Sequence, residues 1–527
     1  MIEQEITLTE ILTAREERVA IQNALLSEYA VPVVSFTMNM AGPVKVTALS
    51  HRAFLWGMEQ LRLGLLQNRM SVRKEFSRAL PTGDEGYFAV DAQAEAVKAL
   101  CVEIEETFGV GRLFDMDVIG LDGHKLERGS ERPCIVCGKP GRECASRRLH
   151  SVAELQFHTA SLLAAGLRSA AQDLNERLAT NALLEEVAVT PKPGLVDRAN
   201  NGAHSDMDFS SFQVSAAALA AYWRGCFGIG CFDRAIVPNT LGRPVPPSET
   251  FAKLRPLGRQ AERDMLAATG GVNTHKGAIF TLGVLCGAIG RLWTAETGFP
   301  DADAILNEAA AMTRETLEKE LPAARWNTAG EALYQKYGVR GIRGQVADGL
   351  PAVREIGLPV FQKLLAEGLD RNHAAAVTLL HLIANVEDTN LLHRGGPEGA
   401  AWAREAAGTL LTSPACRGGG PASRPVEGFR PSEAATLPIC HSEQSEESVS
   451  PAALRAAALP EAATGDAGPS TPLRSAQNDK TADFAAIPSL EEIAELDRQF
   501  IERNLSPGGC ADLLAVTLFL ESLSNLD

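Results

Sequence analysis

Two aspartates separated by one residue are the first candidates for chemistry. Asp115 and Asp117 lie in Arg112-Leu-Phe-Asp-Met-Asp-Val-Ile119, a run that predicts a β-strand. Both carboxylates then project from one face of the strand, because successive side chains alternate. Two oxygen ligands on one face suit Mg²⁺ held beside substrate phosphates during phosphoryl or nucleotidyl transfer. A pair of solvated acids on an edge strand fits the same spacing, so the pattern leaves both interpretations open.

A cluster of cysteines and a histidine follows. Cys134-x-x-Cys137, Cys144 and His150 have the types and number of ligands that tetrahedral zinc takes, although the later gaps are short for a zinc finger. Reduced thiols in a compact basic loop are the alternative. The surrounding arginines are Arg132, Arg142, Arg147 and Arg148. They equally suit a phosphate clamp, since the guanidinium fork matches phosphate oxygens.

The middle of the chain carries a loop rich in turn-forming residues. In Thr190-Pro-Lys-Pro-Gly-Leu-Val-Asp-Arg198, two prolines and a glycine fix the backbone and so position Lys192 and Asp197. Asn201-Gly-Ala-His-Ser-Asp-Met-Asp208 then places a histidine and two carboxylates within five residues. A solvated loop with helix caps is the alternative interpretation.

Gly270-Gly-Val-Asn-Thr-His-Lys-Gly277 immediately precedes the longest apolar run, Gly277 to Gly290. A glycine-rich turn at a helix N-terminus offers N–H groups and a favourable dipole to phosphate, although this is not the Walker pattern. Further polar segments follow at the ends of apolar helices: Gly341-Ile-Arg-Gly344, Glu387-Asp-Thr-Asn-Leu-Leu-His-Arg-Gly-Gly396 and Asn504-Leu-Ser-Pro-Gly-Gly-Cys-Ala-Asp512. We expect these helix ends to converge on one cleft.

The elements that must position these groups divide the chain in two. Periodicity predicts helices at 9–28, 51–67 and 92–107 and strands at 31–38 and 112–119, with a turn at Leu121-Asp-Gly-His124. From about residue 151 the pattern is helical, with helices predicted at 212–226, 254–268, 276–293, 303–319 and 371–386. The sequence therefore predicts a multidomain protein, an α+β N-terminal domain followed by a mainly α-helical C-terminal domain.

One segment departs from this pattern. Residues 411–480 contain 9 Pro, 6 Gly, 9 Ser and 13 Ala, too few core-forming residues to offset the entropy of ordering. Helical character resumes at Ser489, where Ser-Leu-Glu-Glu suggests a capping box. The predicted organisation is a domain at 1–160, a second domain formed by 161–410 and 489–527, and a disordered insertion at 411–488.

Composition limits the class of protein. The 527 residues carry a net charge of −16, which argues against a broad nucleic-acid-binding surface. The N-terminus lacks a secretory pattern, and the longest apolar run is shorter than the roughly 18 residues of a spanning helix. Ten cysteines in so large a chain point to reduced thiols. We expect a cytoplasmic protein with no membrane or nucleic-acid partner.

Motifs of the first part together resemble the apo-citrate lyase phosphoribosyl-dephospho-CoA transferase family, over most of residues 10–157. They are Asn39-Met-Ala-Gly-Pro-Val-Lys45, Gly111-Arg-Leu-Phe-Asp-Met-Asp-Val118, and Arg132-Pro-Cys-Ile-Val-Cys137 with Cys144 and Arg148-Leu-His150. The resemblance implies a nucleotidyltransferase-like role: a phosphoribosyl-dephospho-CoA group joins a serine of the acyl carrier (gamma) subunit of citrate lyase, and pyrophosphate leaves. It favours the magnesium role for Asp115 and Asp117, and it makes Lys45 and Arg112 expected phosphate contacts.

Motifs of the second part resemble the triphosphoribosyl-dephospho-CoA synthase family, over roughly 170–410 and 489–525. They are Pro191-Lys-Pro-Gly-Leu-Val-Asp197, His204-Ser-Asp-Met-Asp208, Gly271-Val-Asn-Thr-His-Lys-Gly277 and Leu505-Ser-Pro-Gly-Gly509. The family uses ATP and dephospho-CoA: the ribose 2′-hydroxyl of dephospho-CoA displaces adenine from the ribose of ATP. The product is the donor that the first family consumes, so the two resemblances support each other.

That reaction implies roles for particular residues, because an oxocarbenium-like centre favours a nearby carboxylate and the attacking hydroxyl needs a base. The expected metal ligands or catalytic acids and bases are Asp206, Asp208 and Asp388. The expected phosphate-binding residues are Lys192, Lys276, Arg343 and Arg394. The expected positioning or catalytic residues are His204 and His275, with Asn273 and Asn390 at the nucleotide.

Two departures from the second family leave an alternative open. Gln345 follows Arg343-Gly344, where the family is expected to carry Glu, and the insertion lies inside the family's C-terminal part. The alternative is an active carrier-protein transferase whose synthase-like domain binds nucleotide but is catalytically impaired. A zinc-bearing interaction protein built on the cysteine cluster is a third interpretation.

Overall fold

The computed structural model describes residues 4–235, 245–320, 329–412 and 487–526. The insertion predicted at 411–488 lies outside these residues, apart from its first two and last two positions. The predicted disorder of that segment therefore remains a prediction.

The N-terminal part combines a small sheet with helices. Its elements are α1 (Leu8–Tyr29), β1 (Val33–Met38), α2 (Ala48–Gln67), β2 (Ser71–Arg78), β3 (Glu85–Asp91), α3 (Ala94–Thr107), β4 (Phe114–Ile119) and α4 (Gly141–Arg147). The three helices and two strands predicted here are confirmed to within a few residues. The β2–β3 pair is absent from the sequence prediction, because most β2 side chains are polar and give no apolar alternation.

The sheet is antiparallel with strand order β2-β3-β1-β4, so β4 is an edge strand. Thr37 of β1 pairs with Asp115, and Ser35 pairs with Asp117. Directly paired residues share a face of an antiparallel sheet. Both aspartates therefore lie on one face at the sheet's edge, as the spacing predicts.

Helices pack against both faces of the sheet. On one face α2 packs against the sheet, where the ring centroids of Phe36 and Phe54 lie 4.9 Å apart. On the opposite face α1 contacts β1 and β3, and Leu25 packs against Tyr87. The aspartates of β4 lie on this second face and keep 44% and 26% of their side-chain surface exposed. The fold thus leaves the acidic pair accessible.

The remainder of the described chain is helical. Its elements are α5 (Val152–Ala188), α6 (Phe209–Ala218), α7 (Ala220–Ala235), α8 (Pro247–Ala268), α9 (Lys276–Leu292), α10 (Ala302–Glu320), α11 (Ala329–Tyr337), α12 (Gly341–Ala347), α13 (Leu358–Ala366), α14 (Arg371–Asn385), α15 (Thr389–Thr412), α16 (Leu490–Glu502) and α17 (Gly508–Ser524). The helices predicted at 254–268, 276–293, 303–319 and 371–386 are confirmed. The helix predicted at 212–226 is divided between α6 and α7, and the capping box at Ser489 is confirmed by reciprocal bonds with Glu492.

The apolar run of α9 forms a buried core helix, as its sequence predicts. Helices α7 and α9 approach closely at glycines: a Cβ added to Gly230 would lie 2.2 Å from the carbonyl oxygen of Gly287. A Cβ added to Gly290 would lie 2.1 Å from the carbonyl oxygen of Phe227. Larger residues would force the two helices apart. Within the described ranges, no helix combines the length and the apolar character needed to cross a bilayer.

Helix α5 links the two parts of the chain. It contains 37 residues and begins at a capping box formed by Ser151 and Glu154. The domain boundary predicted between residues 160 and 161 falls inside this helix. The two predicted domains would thus share one continuous element in place of a flexible linker, and the boundary itself stays a prediction.

Candidate active sites

The first candidate site is a cleft of about 870 Å³ along β4, here called the carboxylate cleft. Its lining includes Asn39, Lys98, Arg112, Asp115, Asp117, Lys125, Arg128, Arg132 and Arg142. Lys125 forms an ion pair with Asp117 at 2.5 Å, and Arg132 lies 4.0 Å from Asp115. Burial and the neighbouring Asp115 raise the pKa of Asp117, while Lys125 opposes the shift. Two carboxylates that repel each other on one face are a suitable donor set for a divalent cation.

Buried side chains of α3 hold the edge strand in place. The backbone N–H of Met116 donates to Glu105 at 2.8 Å, and Lys98 donates to the Met116 carbonyl at 3.0 Å. Arg132 forms an ion pair with Glu105 at 2.5 Å and donates to the Phe114 carbonyl at 2.7 Å. These contacts satisfy backbone groups that an edge strand leaves unpaired. They also fix an arginine beside the aspartates.

The predicted phosphate contacts of this part have different positions. Arg112 lines the cleft and donates from Nε to the Pro133 carbonyl at 3.1 Å. Lys45 donates to the Met40 carbonyl at 2.8 Å and is not among the residues that line the cleft. Burial lowers the pKa of Lys45. The Asn39–Lys45 motif therefore supplies Asn39, at its first position, to the cleft.

Three residues of the cysteine cluster, Cys134, Cys144 and His150, line an adjoining pocket of about 540 Å³, here called the cysteine pocket. The ligand atoms of Cys134, Cys137, Cys144 and His150 all lie within 4.8 Å of one another. Of the four arginines proposed as a phosphate clamp, Arg132 and Arg142 line the carboxylate cleft and Arg148 lines the cysteine pocket. Arg147 instead pairs with Glu143 at 2.9 Å on the surface. The clamp, if formed, is therefore shared between two adjacent pockets.

The second candidate site is a cavity of about 320 Å³ among the helices, here called the helical cavity. The predicted residues that line it are Lys192, His204, Asn273, His275, Lys276, Asp388, Asn390 and Arg394. They come from four separated motifs, so the expected convergence of polar helix ends is borne out by the geometry. Helices α9, α15 and α17 begin at this cavity, and their N-terminal dipoles favour anionic groups there.

Asp388 connects two of these helix starts. It is 3% exposed, and its Oδ1 accepts from the backbone N–H groups of Asn390 and Leu391 at 2.7 and 3.1 Å. Its Oδ2 accepts from the N–H of Cys510, at the start of α17, at 2.8 Å. Burial raises the pKa of Asp388, and the three donors oppose that shift. The side chain thus joins the starts of α15 and α17.

Three acids of the cavity, Glu186, Glu387 and Asp512, were not among the predicted site residues. Glu186 is 4% exposed and pairs with Lys192 at 2.6 Å, while Asp512 lies against Gly277, where an added Cβ would be 1.8 Å from its Oδ2. Burial, reinforced by Glu186 and Asp388, raises the pKa of Asp512. The signal for Asp512 was its place at the end of the Asn504–Asp512 motif. Glu186 carries no such signal, because one Glu in a long helix is ordinarily a solvated side chain.

Both histidines of the cavity are held as neutral rings. The hydroxyl of Ser215 accepts from Thr274 at 2.7 Å and lies 2.7 Å from His275 Nδ1. His275 Nε2 is a buried atom with no hydrogen-bond partner among the described residues. Burial lowers the pKa of His275 to about 3. A neutral imidazole with one unpartnered ring nitrogen therefore lies at the cavity wall.

His204 has a different set of partners. Arg394 donates from Nη2 to His204 Nδ1 at 3.0 Å, and His204 Nε2 lies 2.9 Å from the hydroxyl of Ser506. Burial and the Arg394 charge lower the pKa of His204 to about 4. The ring thus links α15 to the loop before α17 and orients the Arg394 guanidinium.

Three predicted residues are not among those that line the cavity: Asp206, Asp208 and Arg343. Asp208 is exposed and caps α6, where it accepts from the N–H of Ser211 at 2.8 Å. These bonds lower the pKa of Asp208. Asp206 is also exposed and lies 3.9 Å from His204 Nδ1. Gln345, the departure from the family pattern, does line the cavity, and its Oε1 accepts from the N–H of Ala352 at 3.2 Å.

The carboxylate cleft at the sheet edge and the cavity of cations and helix N-termini are thus two candidate sites for substrates that carry phosphate. The family model for apo-citrate lyase phosphoribosyl-dephospho-CoA transferase, CitX, matches residues 6–165. The model for ATP:dephospho-CoA triphosphoribosyl transferase, CitG, matches residues 173–428 and 473–527. The chain belongs to the CitXG family, in which these two enzymes are fused, and it is a bifunctional transferase.

Curated relatives match either the whole chain or its second part. Protein CitXG of Haemophilus influenzae is 31% identical over 98% of this chain and 96% of its own length. Protein CitXG of Leuconostoc mesenteroides is 30% identical over 75% of this chain and 85% of its own. A probable 2-(5''-triphosphoribosyl)-3'-dephosphocoenzyme-A synthase of Citrobacter koseri is 36% identical over 66% of this chain and 90% of its own.

Proposed function

We propose that the helical cavity makes triphosphoribosyl-dephospho-CoA from ATP and dephospho-CoA, and that the carboxylate cleft transfers phosphoribosyl-dephospho-CoA to an acyl carrier serine. The observation that supports this division is the convergence of four motifs on the helical cavity, while the Asp115–Asp117 pair lies at a separate cleft. Both substrates of the first step are nucleotides of the cytoplasm, where we place the enzyme.

In the first reaction the 2′-hydroxyl of dephospho-CoA attacks C1′ of the ATP ribose. A C–O bond forms, the C–N bond to adenine breaks, and the hydroxyl proton passes to a base while adenine leaves with a proton. We assign the base to Asp512, because its carboxylate lines the cavity against Gly277 at the start of α9 and accepts from one backbone donor, Ala278. Asp388 has three backbone donors on its carboxylate, so we assign it a positioning role.

The cations and N–H donors of the cavity bind the triphosphate in this proposal. Lys276 lies at the start of α9 with half of its side chain exposed, 3.3 Å from Glu262, so it is available at the cavity's rim. Arg394 is oriented by His204. Lys192 is paired with the buried Glu186, so we assign it a role in shaping the cavity wall. The unpartnered Nε2 of the neutral His275 ring forms a hydrogen bond with the nucleotide.

In the second reaction the carrier serine oxygen attacks the α-phosphorus of the donor's triphosphate. A new P–O bond forms, the bond from that phosphorus to the α–β bridging oxygen breaks, pyrophosphate leaves with the electron pair, and the serine proton passes to solvent. Asp115 and Asp117 would hold Mg²⁺, which supplies charge neutralisation at the leaving phosphates. Arg112 and Arg132 would bind the remaining phosphate oxygens, since both line the cleft and are fixed by backbone carbonyls. The partner proposed is the apo acyl carrier (gamma) subunit of citrate lyase.

The decisive experiment measures adenine. The full chain is incubated with ATP, Mg²⁺ and dephospho-CoA, and free adenine is quantified by chromatography; omission of dephospho-CoA is the control. Adenine released only in its presence supports the assignment. Well-folded protein that releases none would favour the alternative, an active transferase with an impaired synthase-like part. Gln345 gives no structural reason for impairment, because its amide oxygen accepts a backbone N–H as a carboxylate would.

A further inference from the structure

We propose that Cys134, Cys137, Cys144 and His150 bind one zinc ion, and that this ion fixes the arginine-bearing wall of the carboxylate cleft. The four ligand atoms already lie close together: His150 Nε2 is 3.3 Å from Cys137 Sγ, which is 3.4 Å from Cys144 Sγ. Tetrahedral zinc with Zn–S bonds of about 2.3 Å places its ligand atoms roughly 3.8 Å apart. All four atoms fall within 4.8 Å of one another, so small adjustments complete the tetrahedron.

The backbone around Cys134 and Cys137 forms a tight turn that suits a metal site. The N–H of Cys134 donates to the Lys139 carbonyl at 2.7 Å, and the N–H of Gly138 returns to the Cys134 carbonyl at 3.0 Å. Gly138 has a φ of 74°, a left-handed conformation that favours glycine. Cys144 then arrives on α4, and His150 follows that helix. Two short elements thus present ligands to one point without a hydrophobic core of their own.

Electrostatics favour a thiolate site. Three thiolates and a neutral imidazole around Zn²⁺ leave a net charge of about −1. Arg112 and Arg148 line the same pocket as the cysteines and offset that charge. Cys137 is exposed. Without a bound metal, an exposed thiol beside arginines would be open to oxidation.

The same segment carries the wall of the carboxylate cleft. Arg132 and Arg142 line the cleft on either side of the Cys134–Cys137 pair, and Gly141 donates to the Arg132 carbonyl at 3.0 Å. Arg112 reaches across to the Pro133 carbonyl. Between β4 and α5 the segment forms one helix of seven residues and is otherwise held by polar contacts, among them those of Arg132 with Glu105 and with the Phe114 carbonyl. A metal that crosslinks the segment would keep the arginines beside Asp115 and Asp117.

The test measures metal first. Protein purified under reducing conditions is analysed by mass spectrometry for metals, with Cys137→Ser and Cys231→Ala as the matched pair; Cys231 is a buried thiol of α7 outside the cluster. We expect one zinc per chain in the wild type and in Cys231→Ala, and a large loss in Cys137→Ser. Zinc-free wild type, or unchanged zinc in Cys137→Ser, would overturn the proposal.

Two further measurements keep the proposal testable if Cys137→Ser folds poorly. Wild-type protein reconstituted with Co²⁺ should show a thiolate-to-cobalt charge-transfer band, and its absence would contradict the thiolate ligand set. Removing zinc from the wild type with a chelator should accelerate proteolysis between β4 and α5, while adenine release continues. An unchanged cleavage pattern would contradict the structural role. The role of zinc beside Asp115 and Asp117 rests on the transferase function proposed for the carboxylate cleft. Metal content and adenine release do not depend on that function. They are therefore measured separately from labelling of the carrier, so that failure of one proposal can be distinguished from failure of the other.

Discussion

The carboxylate cleft and the helical cavity differ in their volume and in the burial of the side chains that line them. The cleft lies at a sheet edge, is about 870 Å³, and its aspartates are partly exposed. The cavity is about 320 Å³ and is lined by buried groups such as His275 and Asp388. An open edge admits a serine presented on another protein, whereas an enclosed site keeps water from a reactive ribose centre. In the proposed function, the protein substrate is therefore associated with the open cleft, and the reaction between two small nucleotides with the cavity.

One helix runs between the cysteine pocket, which adjoins the carboxylate cleft, and the helical cavity. Leu155 of α5 lines the cysteine pocket, and Glu186, near the other end of α5, lines the helical cavity. At 1.5 Å per residue these positions are roughly 45 Å apart along the helix. The linings of the carboxylate cleft and the helical cavity have no residue in common, so in the proposed function the intermediate travels between separate sites. Mutations in one site should leave the other active, which makes the comparison testable.

The largest expected effect is at the base proposed for the cavity. Asp512→Asn should lower adenine release by about 10²–10⁴-fold, since it removes a general base. Labelling of the carrier from supplied triphosphoribosyl-dephospho-CoA should be unchanged. Asp301→Asn, which alters an exposed acid that accepts from Ala304 outside the cavity, is the control. Full activity of Asp512→Asn would transfer the base role to another acid.

The converse variant addresses the cleft. Asp117→Asn should lower carrier labelling by about two to three orders of magnitude, because a metal supplies several kcal/mol of charge stabilisation. Adenine release should persist. Labelling is measured by intact mass of the carrier subunit. Asp122→Asn is the control. Asp122 lies in the turn after β4 and accepts from the backbone N–H of His124, so this variant should label the carrier normally. Equal loss in both variants would argue against a specific metal role.

The buried histidines predict a dependence of stability on pH. The pKa of His275 is about 3, below its ordinary value of 6.5, so the unfolded chain takes up the proton first as pH falls. Stability that is present above pH 6.5 is therefore lost on acidification, by about 3 kcal/mol at pH 4 for this residue. Urea unfolding across this range measures it. His275→Asn should flatten the curve, and an identical slope in that variant would contradict the assignment.

The smallest expected effect tests whether Asp208 is a helix cap or a catalytic residue. Asp208→Ala should lower the stability of the fold slightly, because α6 loses its N-cap. Adenine release per folded molecule should be unchanged, because Asp208 lies on the exposed start of α6. Asp208→Ser, which keeps a capping oxygen, should recover most of the stability. A large loss of activity in both variants would restore Asp208 to the catalytic set proposed from the sequence.

Much of this molecule follows from local patterns. The periodicity of α1, α9 and α14 predicts those helices, and the Asp115–Asp117 spacing predicts a shared face on β4 because strand geometry fixes it. The β2–β3 pair was missed, since the polar residues of β2 give no apolar alternation and β3 is held against the distant strand β1. Strand pairing of this kind depends on tertiary context more than on local propensity.

The sequence by itself determined the family, the helical character of the second part and the motifs that carry charge. Only the tertiary structure decided which charged residues meet. Glu186 is buried against Lys192, and Asp512 lies at the start of α9, whereas Asp208 caps a helix in solvent. The physical reason is that a carboxylate's role depends on its burial and its donors, and both are set by helices far apart in the chain.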